Sequence, residues 1–341
     1  GIFMSINTAF FQIAKDVTAA ALAKVIEATD LCGPEKIVIE DIEPFDAAKP
    51  SSLIYQSDPA VANTLVAKSA VVITNEACVP MIDPSNCCLI VPSPRIGFAR
   101  ALAHLVTPAP IDHGSAGVSS LAKIAKTAII HPSATIMQHA VIGAGTVIEA
   151  GAVLHAGVTV GENCHIRSNS VLSHCLIGNG VDIGAGSVLG AAGFGFEMTD
   201  DGVVKLPHIG LVLIDDFVSI GCGCTIDRGS LGDTQIGAHV MMDNLCHIAH
   251  NVTIGERSII AGQCGISGSV TVGAGVAMGG QVGIAPHVKI GDGAVLTARS
   301  GVTKDIEDGD QVAGFPAVSK RQFWRDQAAL RRLSTPKASK S

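Results

Sequence analysis

Residues 242–251 hold the densest set of side chains that could carry out acid–base chemistry. They read Met-Asp-Asn-Leu-Cys-His-Ile-Ala-His-Asn. Histidine is the side chain best suited to proton transfer near neutral pH, and a nearby carboxylate could hold its imidazole in one tautomer. His250 is therefore the candidate general base, and Asp243 is the candidate acid that supports it.

Two further residues would lie beside His250 if the chain completes one coil every 18 residues. Gly268 comes 18 residues after His250, so it would occupy the same corner one coil away, at about 4.8 Å. Its uncovered backbone N–H could then face a group reacting at His250, as an oxyanion donor must. His287 comes 37 residues after His250, which predicts the same side of the molecule two coils away, at about 10 Å.

These groups favour acyl transfer over chemistry that needs a protein nucleophile. Transfer from a thioester to an amine requires only a base, an oxyanion donor and a positioned acceptor. The Gly-x-Gly strings, such as Gly221-Cys222-Gly223, lie in hexapeptide turns. They lack the strand and helix that flank a phosphate-binding loop.

The elements that must position these residues follow a six-residue repeat. An aliphatic residue or Met returns at every sixth position in one long series: Ile236, Met242, Ile248, Ile254, Ile260, Ile266, Val272, Met278, Ile284, Ile290, Leu296 and Val302. This period fits neither an α-helix nor a simple strand alternation, but it is typical of a parallel β-helix of hexapeptides. Because the repeat also runs upstream from Ile130, the β-helix is predicted over residues 128–304, with the aliphatic residues inward.

The rest of the chain divides around this repeat. We predict an N-terminal α/β domain over 4–112, a hexapeptide-repeat domain over 120–316, and a C-terminal helix and basic tail over 319–341. In the first domain the pattern indicates helices over 12–29 and 94–105, with strands near 36–43, 70–74 and 88–91. Breaks in the repeat near 190–210 and at 227–235 predict loops that leave one face, often the binding face. Ser319 can cap the last helix.

Composition narrows the possible functions. The chain has 341 residues, of which 48% are hydrophobic and only 4% aromatic, and a net charge of −7, which argues against a general nucleic-acid binder. The ten cysteines form no Cys-x-x-Cys pair, so buried reduced thiols in a cytoplasmic protein are expected. No apolar run is long enough to span a membrane. From Lys320 onward there are seven basic residues and one acidic residue, which favours either a solvated tail or a dock for an acidic partner.

Five segments together resemble one family. They are Gly193-Phe194-Gly195-Phe196, Thr225-Ile226-Asp227-Arg228-Gly229, Asp243-Asn244, Ile248-Ala249-His250-Asn251 and Ala313-Gly314-Phe315-Pro316. In type and order they are similar to the UDP-3-O-(3-hydroxyacyl)glucosamine N-acyltransferases of lipid A synthesis, the LpxD family. The similarity covers about residues 110–333.

This resemblance implies a left-handed β-helix, a homotrimer with active sites between subunits, and a cytoplasmic enzyme of a Gram-negative bacterium. It implies that the donor is a 3-hydroxyacyl chain on the phosphopantetheine arm of acyl carrier protein, with no other cofactor and no metal. The acceptor would be the 2-amine of a UDP-3-O-acylglucosamine. His250 would be the base, supported by Asp243, with Gly268 as oxyanion donor; the substrate contacts would be His287, Phe194, Phe196 and Asn244.

One segment departs from the family pattern. The N-terminal domain of the family holds uridine, commonly with a Phe, an Asn and a Lys-Tyr pair, but here the stretch reads Ser52-Leu53-Ile54-Tyr55-Gln56-Ser57-Asp58. Tyr55 is the single tyrosine of the chain, and it could replace the missing ring by stacking on the base. Its alternative role is a packed strand residue.

Four other interpretations stay open at this stage. A divergent hexapeptide acyltransferase could act on a related nucleotide amino sugar or use an acyl-CoA donor, and an O-acyltransferase of the same pathway is a near neighbour. A zinc hydratase would need three histidines that converge on the metal, and only His247 and His250 lie close in sequence. A scaffold without chemistry would need none of these groups.

Overall fold

The computed structural model of the chain describes residues 6–110, 117–200 and 202–334. The predicted domain boundary at residue 112 and the end of the basic tail after residue 334 lie outside these ranges. Within the described ranges, the chain folds into a small N-terminal α/β unit, a long parallel β-solenoid and one C-terminal helix.

The solenoid has three faces, and each face is a parallel sheet. Sheet I contains Thr135–Ile136, Val153–Leu154, Val171–Leu172, Val188–Ala192, Thr225–Arg228, His247–Ile248, Gly265–Ile266, Gly283–Ile284 and Gly301–Val302. Sheet II contains Lys123–Ile124, Val141–Ile142, Thr159–Val160, Cys175–Ile177, Val212–Ile214, Thr234–Ile236, Thr253–Ile254, Thr271–Val272 and Lys289–Ile290. Sheet III contains Ile129–Ile130, Val147–Ile148, His165–Ile166, Asp182–Ile183, Ser219–Ile220, Met241–Met242, Ile259–Ile260, Ala277–Met278, Val295–Leu296 and Gln311–Val312.

The six-residue repeat sets the core, as predicted. Regular coils pair residues 18 positions apart, for example Thr253 with Thr271, so each inward residue stacks on its equivalent in the next coil. Every member of the series from Ile236 to Val302 is buried, while Ile130 at the end of the stack is half-buried. No described residue of 128–304 lies in an α-helix. The predicted β-helix is therefore confirmed, and its pairing extends from Lys123 to Val312.

The N-terminal unit is a five-stranded sheet covered by helices. Its strands, in spatial order, are Asp30–Cys32, Cys87–Ile90, Val71–Thr74, Ser52–Tyr55 and Asp41–Ile42. The first pair is antiparallel and the others are parallel. The helices are α1 (Ala19–Val25), α2 (Pro59–Ala62) and α3 (Pro94–Leu105), with short 3₁₀ turns at Phe45–Ala47 and Val79–Met81. The predicted helix over 94–105 and the strands near 70–74 and 88–91 are confirmed.

Two N-terminal predictions were wrong in extent. The helix predicted over 12–29 is a strand, Phe11–Ile13, followed by the shorter α1. Asp16 has a left-handed φ of 61°, which ends any helical run there, and the Thr18 side chain then caps α1 by accepting from Ala21 N at 3.2 Å. The strand predicted near 36–43 is reduced to Asp41–Ile42.

Phe11–Ile13 pairs antiparallel with Val106–Pro108 and brings the N-terminal unit onto the solenoid. The rings of Phe10 and Phe11 lie 5.1 and 5.0 Å from His174 of the solenoid. The Arg228 guanidinium lies 5.9 Å from the Phe11 ring centroid. The two units therefore share one continuous apolar core.

The predicted break in the repeat near 190–210 is a β-hairpin, Phe196–Thr199 with Gly202–Lys205. Arg95 at the start of α3 pairs with Glu197 of this hairpin at 2.7 Å. The hairpin and α3 thus flank the outer surface of sheet I at the coil that contains His250.

The last helix, α4 (Lys320–Ser334), begins where predicted, with Ser319 Oγ accepting from Gln322 N at 3.2 Å. Phe323, Trp324, Leu330 and Leu333 are exposed on it. In the part of the chain that the structure describes, no helix is long and apolar enough to cross a membrane.

Candidate active site

A cleft of about 600 Å³ runs along sheet I and the corner that follows it. Its walls bring together three residues predicted from the spacing: His250, Gly268 and His287. Each comes from a different coil, because the 18-residue register stacks equivalent corners. Phe194 and Arg95 close the cleft from the hairpin side and from α3.

His250 is held in one tautomer by its neighbour. Its Nδ1 lies 3.0 Å from Asn251 Oδ1, and the orientation of that amide is fixed, since Oδ1 accepts from Ser230 N at 2.9 Å and Nδ2 donates to Gly232 O at 2.9 Å. An oxygen acceptor requires a proton on Nδ1. The lone pair is therefore on Nε2, where a general base needs it.

Gly268 faces this lone pair. A Cβ placed on Gly268 would lie 2.7 Å from both Nε2 and Cε1 of His250, so only glycine leaves room for the imidazole. Among the described residues, the Gly268 N–H has no hydrogen-bond acceptor, whereas its carbonyl accepts from His287 N at 3.2 Å. A free donor beside a base matches the requirement for stabilising an oxyanion.

Within one subunit, Asp243 does not lie beside His250 as the sequence analysis expected. Asp243 follows a strand of sheet III rather than sheet I, and it is exposed at a different corner. Its Oδ1 accepts from Asn244 Nδ2 at 2.8 Å, and Asn244 Oδ1 accepts from Cys222 N at 2.7 Å. The spacing of seven residues advances one corner of the coil, which is why neither residue enters this cleft.

The acid that the sequence analysis missed is Asp227. Its side chain is 13% exposed, and its Oδ2 lies 3.9 Å from His247 Nε2. Burial raises the pKa of the Asp227 carboxyl, and the positive charges of His247, His250 and Arg228 oppose that rise. Asp227 is the first residue of the 227–235 break in the repeat.

His247 stands where two hollows meet. It lines the cleft and also a second, mainly apolar hollow of about 610 Å³ under the hairpin, which Phe194, Phe196 and Val203 border. Its Nδ1 lies 2.7 Å from Thr225 Oγ1. The rings of Phe194, which precedes the hairpin, and Phe196, which begins it, pack edge to face at 4.9 Å, so both predicted phenylalanines lie at the site.

His208 supports the base from behind. It is 3% exposed, and its ring packs edge to face with His250 at 5.0 Å. Its Nδ1 lies 3.0 Å from Leu206 O, while burial lowers the pKa of His208 to about 4. A Cβ on Gly193 or Gly195 would come within 2.9 or 2.7 Å of this ring, which explains the glycines of the Gly-Phe-Gly-Phe segment.

The floor of the cleft beyond His247 is bare backbone. The outward positions of the next two strands of sheet I are Gly265 and Gly283. Neither has a left-handed φ, and a Cβ on either would meet no atom within 4 Å. The fold does not require glycine there, and glycine weakens a strand, so these positions indicate close approach of a ligand or another backbone.

Comparison with known proteins gives this cleft a context. Residues 139–174, 157–191 and 233–268 match the family model of bacterial transferase hexapeptide repeats. The UDP-3-O-acylglucosamine N-acyltransferase of Maricaulis maris is 48% identical over 178 residues, 52% of this chain and 47% of the relative. That of Delftia acidovorans is 40% identical over 237 residues, 67% of this chain and 65% of the relative. The chain is related to these N-acyltransferases.

The matched part spans about half of the Maricaulis N-acyltransferase. A solved UDP-N-acetylglucosamine acyltransferase from Arabidopsis superposes with a TM-score of 0.54 at 25% identity, covering 67% of this chain and 85% of the plant chain. The resemblance predicted from the sequence motifs is thus confirmed.

The segment that departs from the N-acyltransferase pattern lies close to the cleft. Tyr55 packs on Phe98 of α3 at 4.9 Å. Both rings line a narrow slot that His208 and His250 close at its far end. The ring therefore combines packing in the N-terminal unit with access to a cavity that leads to the base.

No group of three His, Cys, Asp or Glu side chains in the described ranges is arranged to hold a metal ion. The free cysteines are mostly buried, and Cys224, Cys246 and Cys264 follow one another in adjacent coils of the core. Among the described residues, no three histidines form the zinc site that the hydratase alternative requires.

Proposed function

We propose that this protein transfers a 3-hydroxyacyl chain from acyl carrier protein to the 2-amine of a UDP-3-O-acylglucosamine. The observation that carries the proposal is that Gly268, whose N–H has no acceptor among the described residues, lies against the Nε2 edge of the His250 ring. The similarity to N-acyltransferases supports the amine as acceptor. The proposed site lies where two adjacent coils bring these groups together.

The mechanism follows from those two groups. His250 Nε2 removes a proton from the amine as the nitrogen attacks the thioester carbonyl. The developing oxyanion accepts a hydrogen bond from the Gly268 N–H. Collapse of the tetrahedral intermediate then breaks the carbon–sulfur bond, forms the amide and releases the thiolate. The apolar hollow under the hairpin suits an acyl chain, since Phe194, Phe196 and Val203 offer hydrocarbon surface.

Asp243 and Asn244 gain a role if the protein is a homotrimer with sites between subunits. They lie at the edge of sheet III, beside the exposed apolar side chains of Met241, Leu245 and Ile259. Burying such a surface against a second copy would be favourable. It would also carry the Asp243 carboxylate toward a neighbouring subunit's cleft.

The direct test is mass-spectrometric detection of acyl transfer with purified protein. We expect an amide product from 3-hydroxyacyl carrier protein and UDP-3-O-acylglucosamine. An ester of UDP-N-acetylglucosamine would instead support the O-acyltransferase alternative. Turnover of acyl-CoA, or of another nucleotide amino sugar in preference to this pair, would support the divergent acyltransferase.

The glycine floor provides a prediction about the donor. The pantetheine arm is thin and extended, and we expect it to lie over Gly265 and Gly283. Gly283→Val should raise the KM for acyl carrier protein at least about tenfold without loss of stability, because a β-branched residue suits a strand. Gly301→Val is the matched control, since Gly301 holds the same strand position and also has open space around it, but does not line the cleft. An equal effect of both substitutions would contradict this path.

The basic helix provides a second prediction. Acyl carrier proteins are acidic, and α4 carries Arg325, Arg331 and Arg332. Changing all three to Glu should raise the KM for the carrier and weaken its salt dependence, because steering by opposite charge is lost. Kinetics that do not change at low salt would indicate a solvated tail.

A further inference from the structure

The cleft contains two histidines whose ring nitrogens have different partners. His250 turns the lone pair of Nε2 toward Gly268, because its Nδ1–H donates to Asn251. The surroundings of His247 differ. Its Nδ1 is engaged by the Thr225 hydroxyl at 2.7 Å, and its Nε2 faces the Asp227 carboxylate at 3.9 Å.

The neighbours of His247 favour a proton on Nε2. A carboxylate only accepts hydrogen bonds, and its negative charge attracts a cation at this distance. The Thr225 hydroxyl can either donate to Nδ1 or accept from it, so it permits both the neutral ring and the imidazolium. With a side chain that is 51% exposed, His247 can still reach a ligand in the cleft.

The position of His247 matches the leaving group. The acyl chain and the thioester arm meet at the reacting carbonyl. His247 and Asp227 lie where the apolar hollow under the hairpin joins the cleft that holds His250 and Gly268. Sulfur at that junction would lie beside the Nε2–H of His247.

We propose that His247 is the general acid of the reaction, a role that rests on the proposed function. The amine nitrogen bonds to the carbonyl carbon and gives its proton to His250 Nε2. The carbon–sulfur bond then breaks with its electron pair on sulfur, and sulfur takes the Nε2 proton of His247. Asp227 stabilises the His247 imidazolium beforehand, and exchange with water returns both rings to their starting states.

Because their surroundings differ, His250 can act as the base while His247 acts as the acid. A single residue that serves both steps must carry the proton from one face of the intermediate to the other. Here the two proton transfers take place at separate ring nitrogens. The charged or titratable groups that face His247 across the two hollows are Asp227, His250, His287, Arg95 and Lys205.

The experiment varies the leaving group. His247→Gln, His250→Ala and the wild type are compared with two donors that carry the same acyl chain, the pantetheine thioester and its selenoester. A selenol is more acidic than a thiol, so a selenolate leaves without help from an acid. We expect His247→Gln to lose about 10- to 100-fold with the thioester, within the usual contribution of one acid–base group, and less than about threefold with the selenoester. His250→Ala should lose activity with both donors.

The pH profile gives a second readout. A general acid must carry its proton to act, so the wild-type kcat/KM should have a high-pH limb that is absent in His247→Gln. His165→Gln is the matched control, because His165 is also an outward strand histidine beside a carboxylate, at 2.6 Å from Glu149, but lies outside the cleft. It should leave rate and profile unchanged.

The outcomes separate the two proposals. Equal losses with thioester and selenoester in His247→Gln, together with an unchanged high-pH limb, would show that His247 is not the acid while transfer itself stands. Wild-type protein that transfers neither acyl group would overturn the proposed function, and the acid role with it.

Discussion

His250→Ala is expected to lower kcat for acyl transfer by about 10²- to 10⁴-fold, the usual loss when one general base is removed. The amine would then keep its proton during attack. Substrate binding and thermal unfolding should change little, because His250 is only partly buried at a corner of the coil. Steady-state kinetics with the carrier-bound donor and a thermal melt would check both expectations.

The control for this variant is His239→Ala, a turn histidine that stacks on Phe217 outside the cleft. It should keep wild-type activity. Asp243→Ala should lose less than His250→Ala, since Asp243 does not contact the base of its own subunit. Near-full activity of a folded His250→Ala protein would exclude His250 as the general base.

Gly268→Ala should be almost as damaging, with a loss in kcat of at least about 10²-fold, comparable to removal of an oxyanion donor. The new methyl carbon would need to lie 2.7 Å from His250 Nε2, so the ring must move and the N–H becomes covered. The backbone φ of Gly268 is not left-handed, so the fold should tolerate alanine.

Gly265→Ala is the matched control, because Gly265 lines the same cleft and a Cβ there meets nothing within 4 Å. Because the donor arm is expected to lie over Gly265, this variant should affect the KM for the carrier, while its kcat should stay within about threefold of wild type. A Gly268→Ala enzyme with normal kcat would exclude this N–H as the oxyanion donor, and one that melts far below wild type would indicate a structural role instead.

Corners separated by a whole coil could be predicted from the sequence, because 18 residues bring the chain back to the same face. That arithmetic placed Gly268 and His287 beside His250. The same arithmetic does not apply to Asp243, because its seven-residue offset from His250 leads to a different corner. Asp227 and His208 lie at the breaks in the six-residue repeat, so the repeat could not indicate them. The tautomer of His250 depends on the amide of Asn251, whose orientation is set by Ser230 and Gly232 across the coil.

The N-terminal unit was harder to predict, because it has no repeat. The strands Val71–Thr74 and Cys87–Ile90 and the helix α3 have strong apolar patterns and were predicted, whereas the buried strand Ser52–Tyr55 was not among the predicted strands. The segment around Asp16 was not predicted, since a left-handed residue in an apolar run leaves little signature when it is not glycine. The contacts of Tyr55 depend on how α3 packs, which local sequence does not determine.

Because His250, Gly268 and His287 lie on successive coils, the spacing between them is fixed by the distance from one coil to the next. Distances along the cleft change in steps of one coil, about 4.8 Å each, because an insertion of six or twelve residues keeps the aliphatic residues inward but moves every later residue to a different face. Inserting one 18-residue coil between Gly268 and His287 would therefore lengthen the glycine floor by one coil spacing. The contacts between His250 and Gly268 would stay unchanged. Substrate length in such a protein is set in discrete steps, by the number of coils between the base and the far end of its cleft.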